Sequence, residues 1–543
     1  MDIRTLALQN AVQHGGQASV SAVLGRVLAA HPELRADLAA ARAQVEAVVA
    51  EVNTLPAETQ REQAGTLPER QTREGLPPLP EAIEGKVVTR FAPAPTGAIH
   101  LLHALRAIFI SSLYAEQYHG SFLLRFEDTD PRKVVKEFYG MIREDIQSLG
   151  VKVAKEDLES AHMDLYYQAT EQLLQGGQAY VCSCTAQAFQ AKKKAKEDCP
   201  CRYQATDRNV LGWKGMLSGR YREGEMVVRF RTSMQDPNPA MRDPAILRIV
   251  DAPHPLTGDR YRVWPLYNLA NVVMDSRSGV THVFRGKEHE HNTAIQEKLY
   301  RALGLQPPVT VNFGMLYLPG EKMHKRDIRT GMAEGRYQGW DDINLPTIRA
   351  FLRRGFQAEA IRQFSLSCGL SKTDIRIDLA NLEALNRRLI DPRAGRYMVV
   401  PDPVAIDVSL ILQLTGLGKA VQGKAHPDRE ELREIPVSGT LLVSREDFTR
   451  FRGKPVRLMD LFNVVLDEQP VLDKRQEFDL KTPKIQWVAE KPHVPITILM
   501  PGQTVQAVGE RALGSVRPGE IVQMIRVGFG RVDRPGVIAF AHK

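Results

Sequence analysis

The chain has 543 residues, with 72 Lys and Arg against 64 Asp and Glu, a net charge of +8. That length has room for several domains with separate cores. No apolar run reaches membrane-spanning length, and the N-terminal MDIRTLALQNAVQHGG lacks an apolar secretory region, so a soluble, cytoplasmic protein is expected; the charge surplus permits a polyanionic partner without demanding one.

In chain order, the first predicted elements are helices. Ser21 to about Ala30 reads as a short one. Leu34, Leu38, Ala41, Val45, Val48 and Val52 then recur at alternating spacings of four and three, which predicts one continuous apolar stripe on a longer helix, with Pro32 in its first turn. A small helical module is expected there. Residues Thr54 to Lys86 are rich in Pro, Gly, Gln and Glu and read as a linker.

The stretch from Lys86 to Pro131 carries the densest chemistry. A β-branched run (Val87, Val88) meets a Pro- and Gly-punctuated turn from Pro93 to Gly97. His100 and His103 open a helical pattern in which Leu105, Phe109, Ile110 and Leu113 share a face. A second strand, Phe122 to Phe126, ends in Glu127 and Asp128. Strand, turn, helix and strand make one βαβ unit, so the turn opens at the carboxyl edge of a parallel sheet, where nucleotides bind.

Helices are predicted over Phe138–Leu149 and Asp164–Leu174. Next come Cys182, Cys184, Cys199 and Cys201, two C-x-C pairs fourteen residues apart. Two close thiolate pairs match the S4 demand of zinc; the alternative is four free thiols in a variable insertion. Lys192 to Lys196 between them read as a solvated helix face, and Cys368 as core. From Met226 to Val250 the chain alternates like strands. VTHVF is a further strand, and RGKEHEHN places Arg285, Lys287, Glu288, His289 and His291 at its end, leading into a helix. Without cysteines or carboxylates at matching spacing, that His-x-His is expected to line a site or the surface rather than hold a metal. VTVNFGMLYL reads as one more strand. It runs into a loop with Lys322, Lys325 and Arg326, a phosphate-binding pattern.

Beyond it, Trp340 to Gly355 carries Arg349, Arg353 and Arg354 on a predicted helix, with cations that could track phosphates; an ordinary basic helix is the alternative. Helical pattern continues to about Arg396. From Val404 onward short β-rich runs (GTLLV, PVRLMDLF, KIQWV, PITILM, GEIVQMIRVG, GVIAF) alternate with Pro and Gly turns, an all-β pattern.

Several of these pieces carry a resemblance. PAPTGAIHLLH resembles the P-x-P-T-G-x-x-H-I-G-H motif of class I aminoacyl-tRNA synthetases, and KMHKR resembles their KMSKS loop. VVTRFAPAPTG, LLRFEDTDP, PLYNLAN and VTHVFRGKEH look like the glutamyl-tRNA synthetases, and the N-terminal extension, GWDDINLPTIRAFLRRG and GSVRPGEIVQMIRVGFGRVD look like the archaeal form. The resemblance runs over nearly the whole chain. It implies an α/β fold with these parts: an N-terminal helical extension and linker over 1–85; a Rossmann-like catalytic domain over 86–339 with an acceptor-binding, zinc-bearing insertion at about 180–260; a helical region contacting the tRNA stem over 340–402; and C-terminal β-barrels over 403–543 that bind the anticodon.

It also implies a reaction: glutamate attacks the α-phosphate of ATP, and the glutamyl group then passes to the terminal ribose of tRNA(Glu), possibly also tRNA(Gln). By resemblance, His100, His103, Lys322 and Lys325 are catalytic. Pro95, Thr96, Gly97, Leu102, Glu288 and Lys325 bind ATP, whose Mg2+ arrives with the nucleotide. Arg90 takes the substrate's side-chain carboxylate as a bidentate cation, Glu127 its α-amino group, and Ala92, Tyr267, Asn271 and Arg285 line the amino-acid pocket. Cys182, Cys184, Cys199 and Cys201 would hold a structural zinc. Three positions depart from the family pattern: Leu102 replaces a glycine that lets adenine lie close to the backbone, His324 replaces a serine, and Ala94 stands where many relatives have serine. Glutaminyl-tRNA synthetase, and a tRNA-binding protein that has lost activity, remain the alternatives. The acid of the FEDTD run and APAPTG rather than PPEPNG argue against the first; Leu102 and His324 motivate the second.

Overall fold

The computed structural model describes residues 2–13, 16–65, 75–318, 320, 324–476 and 481–543, in two compact units, 1–77 and 78–543. In the first unit, α-helices Ile3–Gln13, Val20–Ala30, Leu38–Thr54 and Ala57–Gln63 enclose a core that includes Leu6, Val23, Val27, Val45, Val49 and Val52. The expected long stripe is corrected. Pro32 opens a 3-10 turn, Pro32–Asp37, and the α-helix begins only at Leu38, where the Asp37 carboxylate accepts from Ala40 N at 3.0 Å. The buried face then runs Ala41, Val45, Val49, Val52, and Leu38 is 52% exposed. The helix Ala57–Gln63 lies inside the expected linker. Its anchor is polar: buried Gln60 donates to Val52 O at 2.9 Å and Gly16 O at 3.0 Å, so no apolar stripe announces it.

In the second unit three parallel strands, β1 (Val88–Phe91), β2 (Ser121–Phe126) and β3 (Lys155–Leu158), pair in the order β1-β2-β3, with Arg90 opposite Leu123. The β1 to β2 crossover is a helix that starts at Leu101 and loosens into a π-turn over Ala104–Ile108; Ser365 donates to Leu105 O there, at 2.5 Å. An antiparallel sheet, β4 (Ala179–Cys182), β5 (Val227–Phe230), β6 (Ala245–Ile249) and β7 (Val263–Pro265), interrupts the parallel one. Helix Tyr267–Arg277 then returns the chain to β8 (His282–Gly286), which pairs in parallel with β9 (Val309–Phe313). Thr281 N donates to Val88 O at 2.9 Å, bringing the foot of β8 to β1.

The run VTVNFGMLYL is two strands, not one. The chain breaks at Gly314, where a Cβ would lie 2.1 Å from Thr373 O, and Leu316–Tyr317 pairs instead with Ile375–Arg376. Past residue 394 the chain is mostly β. A seven-stranded sheet runs from Gly395–Tyr397 at one edge to Val399–Pro401 at the other, and a separate core around Ile406, Leu441, Val456 and Trp487 serves the smaller sheets.

The three arginines of helix Ile348–Arg354 do not form a free phosphate track. Arg349 meets Asp145 and Glu144, both at 2.6 Å; Arg353 forks onto Asp533 at 2.9 and 2.8 Å; Arg354 donates to Phe540 O and Ala541 O at 2.9 and 2.7 Å. This helix is wedged between the helix Glu137–Ser148 and the seven-stranded sheet, so its cations meet carboxylates and strand-end carbonyls rather than solvent. Among the described residues no helix is long and apolar enough to cross a membrane.

Candidate active site

The turn after β1 is held from three sides. Ile99 N donates to the buried Asp145 carboxylate at 2.9 Å, Ile348 N donates to Ile99 O and Leu101 N to Pro346 O, both at 2.9 Å. Pro95 is buried, and its carbonyl accepts from Val135 N at 3.1 Å. Thr96 N closes a tight turn onto Ala94 O at 2.8 Å. Gly97 sits against Trp340, and its carbonyl accepts from Lys325 Nζ at 3.1 Å. Lys325 lies 228 residues further along the chain, and the fold joins the two.

His100 caps the helix. Its Nδ1 accepts from Leu102 N at 3.1 Å, so a neutral ring carries its proton on Nε2. Burial, with Lys325 nearby, pulls its pKa down to about 4. His103, 6.2 Å away centroid to centroid, is an exposed residue whose pKa is pulled down by desolvation, Lys325 and His100. Both imidazoles are therefore neutral donors near pH 7. Burial lowers Lys325 to about 8, against the attraction of Asp145. Leu102 is half-buried in the first helical turn, and Glu288 is exposed beyond β8, its carboxylate folded back over Gly286, where a Cβ would meet it at 2.2 Å. His324 caps the helix Lys325–Ala333. Lys322 lies outside the described residues.

At the carboxyl ends of β1 and β2 the side chains form a buried ionic ladder. Arg90 donates from Nε to Asp275 Oδ1 at 2.8 Å and from Nη2 to Asp275 Oδ2 at 3.1 Å and Asn271 Oδ1 at 2.9 Å. Arg125 donates to the same two acceptors at 2.6 and 2.7 Å, and its Nε lies 3.3 Å from Glu159. Asn271 Nδ2 donates to Glu127 Oε1 at 3.1 Å and to Tyr267 O at 3.0 Å. The fork of Arg90, expected to meet a substrate carboxylate, is engaged by Asp275 and Asn271 through Nε and Nη2, and among the described residues Nη1 has no hydrogen-bond partner.

Electrostatics follow from that pairing. Burial disfavours the Arg90 and Arg125 charges, but the surrounding acidic groups, Asp275 foremost, together outweigh it and hold both arginines above their ordinary value. Burial likewise pushes Asp275 up, but Arg125 and Arg90 overcome it and hold the carboxyl at about 2. Burial raises Glu127 against the pull of Arg125 and Arg90, and raises Glu159 further. Tyr267 packs by His289, ring centroids 5.7 Å apart, and bonds Arg285, whose Nη1 donates to Gln296 at 2.8 Å. Ala92 is half-buried just past β1. His289 packs against Tyr267 in this pocket and His291 is exposed.

Asp275, Arg125 and Asp145 escaped the sequence reading. Tyr267, Asn271 and Asp275 recur every four residues on one helix, so the spacing held a signal for the first of these.

Away from this cleft, Cys182, Cys184, Cys199 and Cys201 bring their sulfurs within 4.8 Å of one another, in an apolar cluster with Tyr180, Phe189 and Met234. Cys182 and Cys199 are 3.7 Å apart, near the roughly 3.8 Å edge of a tetrahedron with ~2.3 Å metal–sulfur bonds. Four thiols without a carboxylate suit zinc.

A family model described as tRNA synthetases class I (E and Q), catalytic domain, matches residues 86–392, and one described as their anti-codon binding domain matches 394–479. Among curated relatives, the glutamate–tRNA ligases of Pyrococcus furiosus and Pyrococcus abyssi are 40% and 41% identical to the chain, each alignment covering 100% of both proteins. That of Methanothermobacter marburgensis is 38% identical over 99% of this chain and 98% of its own length.

Proposed function

The chain belongs to the class I tRNA synthetases of the E and Q type, and on that premise we propose that it is a glutamate–tRNA ligase. It activates L-glutamate with ATP and passes the glutamyl group to the 3'-terminal adenosine of tRNA(Glu). The observation that carries the reading is Arg90 Nη1, which has no hydrogen-bond partner among the described residues, on the buried ladder that also holds Glu127 through Asn271.

In this reading Glu127 receives the α-amino group and Arg90 the side-chain carboxylate, while Tyr267 and Arg285 close the pocket. The α-carboxylate then points along the turn toward His100, His103 and Lys325. The reaction needs alignment and charge stabilisation more than covalent help. His100 Nε2–H and His103 donate to phosphate oxygens at a helix N-terminus, and Lys325, tied to Gly97 O in the free protein, turns to the departing pyrophosphate. Lys322 would act with it. Magnesium enters on the phosphates. The β-rich C-terminal part takes the anticodon, in keeping with the family match over 394–479, and 1–85 is read as an N-terminal helical extension and linker.

ATP–pyrophosphate exchange tests the reading. Exchange is expected with glutamate, and it is measured with glutamate and with glutamine, with and without tRNA. Exchange with glutamine alone would convert the assignment to a glutaminyl enzyme; exchange with neither, tRNA present, would leave a tRNA-binding protein.

The lowered pKa of Lys325 sets a pH dependence. Its ammonium is fully present well below pH 8 and is lost as pH rises through about 8, so kcat/KM for ATP falls on the alkaline side in the free enzyme. Lys325→Arg stays charged and removes that limb; an identical alkaline fall in the variant would clear Lys325 of the role. For the thiol cluster, purified protein is expected to carry one zinc per chain and Cys182→Ala to lose it, by elemental analysis, with KM for ATP unchanged because the cluster sits outside the cleft. Metal-free wild-type protein would leave four plain thiols.

A further inference from the structure

We infer that Asp275, acting with Asn271, is a specificity-determining positioning residue: it seats the fork of Arg90 so that Nη1 stays available as a charged donor, which favours a carboxylate over a carboxamide. The inference rests on the glutamate–tRNA ligase reading and says how that pocket tells glutamate from glutamine.

Hydrogen-bond accounting at the ladder carries it. Asp275 Oδ1 accepts from Arg90 Nε at 2.8 Å and from Arg125 Nη1 at 2.6 Å, and Oδ2 accepts from Arg90 Nη2 at 3.1 Å. Asn271 is saturated: its Oδ1 accepts from both arginines, and its two amide hydrogens go to Glu127 and to Tyr267 O. Its orientation is forced, since a flipped amide would aim N–H groups at two guanidinium groups. Arg125 fixes the outer side of Asp275 and is itself backed by Glu159 at 3.3 Å. What remains of Arg90 is Nη1, a donor. A substrate carboxylate accepts from it. A carboxamide can turn only its neutral oxygen that way, a weaker acceptor for a guanidinium than a carboxylate oxygen. A site built on a seated guanidinium therefore favours the charged side chain.

Asp275→Asn removes the shared anion and puts an amide N–H against a guanidinium, so the fork of Arg90 loses its seat. Expected in exchange assays is a rise of about 30-fold in KM for glutamate, KM for ATP held within about threefold, and a fall of about tenfold or more in the glutamate-over-glutamine ratio of kcat/KM. An unchanged ratio, or KM for ATP rising in step with that for glutamate, overturns the inference, because a merely structural role would disturb both sites alike. Should that variant fail to fold, Arg125→Lys keeps the charge but cannot span Asp275 and Asn271; the ratio is expected to fall about fivefold, and an unaltered ratio again overturns it. Wild-type protein is the control. If it shows no glutamate-dependent exchange, the functional reading fails; if it does and neither variant shifts selectivity, only the role of Asp275 fails.

Discussion

Arg90→Gln is expected to lower kcat/KM for glutamate by about three orders of magnitude while leaving KM for ATP nearly unchanged. Two losses combine. The substrate carboxylate loses its charged donor in a buried pocket, and Asp275, which Arg90 forks in the native protein, is left to Arg125 alone. Removing one partner of a buried, hydrogen-bonded charge pair costs about 2–5 kcal/mol, and three decades in rate correspond to about 4. Because Arg125 still holds Asp275, the fold survives, which far-UV circular dichroism and thermal melting check. Glutamate-dependent exchange gives the kinetic readout, and native kcat/KM in a folded variant would take Arg90 out of the pocket.

The second large effect is expected from a single methyl group. In Gly97→Ala the new Cβ would stand 2.4 Å from the ring of Trp340, at a φ of +150°. That ring cannot retreat, for it is 8% exposed and packs edge-on against Phe138 at 5.4 Å. The turn must move instead. Gly97 O moves with it, away from Lys325, and the histidine cap three residues on is displaced. A shift of order 1 Å at reacting groups costs about a hundredfold in rate, and overpacking adds about 1–3 kcal/mol of instability. We expect kcat for exchange to drop about a hundredfold. The double variant Gly97→Ala, Trp340→Leu makes room and is expected to recover part of that rate; equal rates in the single and double variants would refute the steric account.

Much of this was legible in the chain. The βαβ unit around Lys86 to Pro131 announces itself because strand and helix periodicities differ and the turn between them is marked by Pro and Gly. The cysteine pairs and the β-rich C-terminal part are equally local patterns. The misses have physical causes. The helix Ala57–Gln63 is held by Gln60 to backbone carbonyls, which leaves no apolar stripe to read. The strand expected through Gly314 breaks because segment 371–374 crosses it, a contact with no trace in the local sequence.

Sequence alone therefore determined which chemical groups the protein owns and where they lie along the chain: Arg90, His100, His103, Glu127, Lys325 and the four thiols. Tertiary structure decided what those groups are free to do. Arg349, Arg353 and Arg354 read as a phosphate track, yet each is engaged by Asp145 and Glu144, by Asp533, and by the carbonyls of Phe540 and Ala541. By resemblance Arg90 reads as a bidentate cation for a substrate carboxylate, yet Asp275, 185 residues away, already engages its Nε and Nη2. The reason is the same in both cases. A buried charge must find its counter-charge, and which one it finds depends on neighbours in space that spacing along a chain does not record.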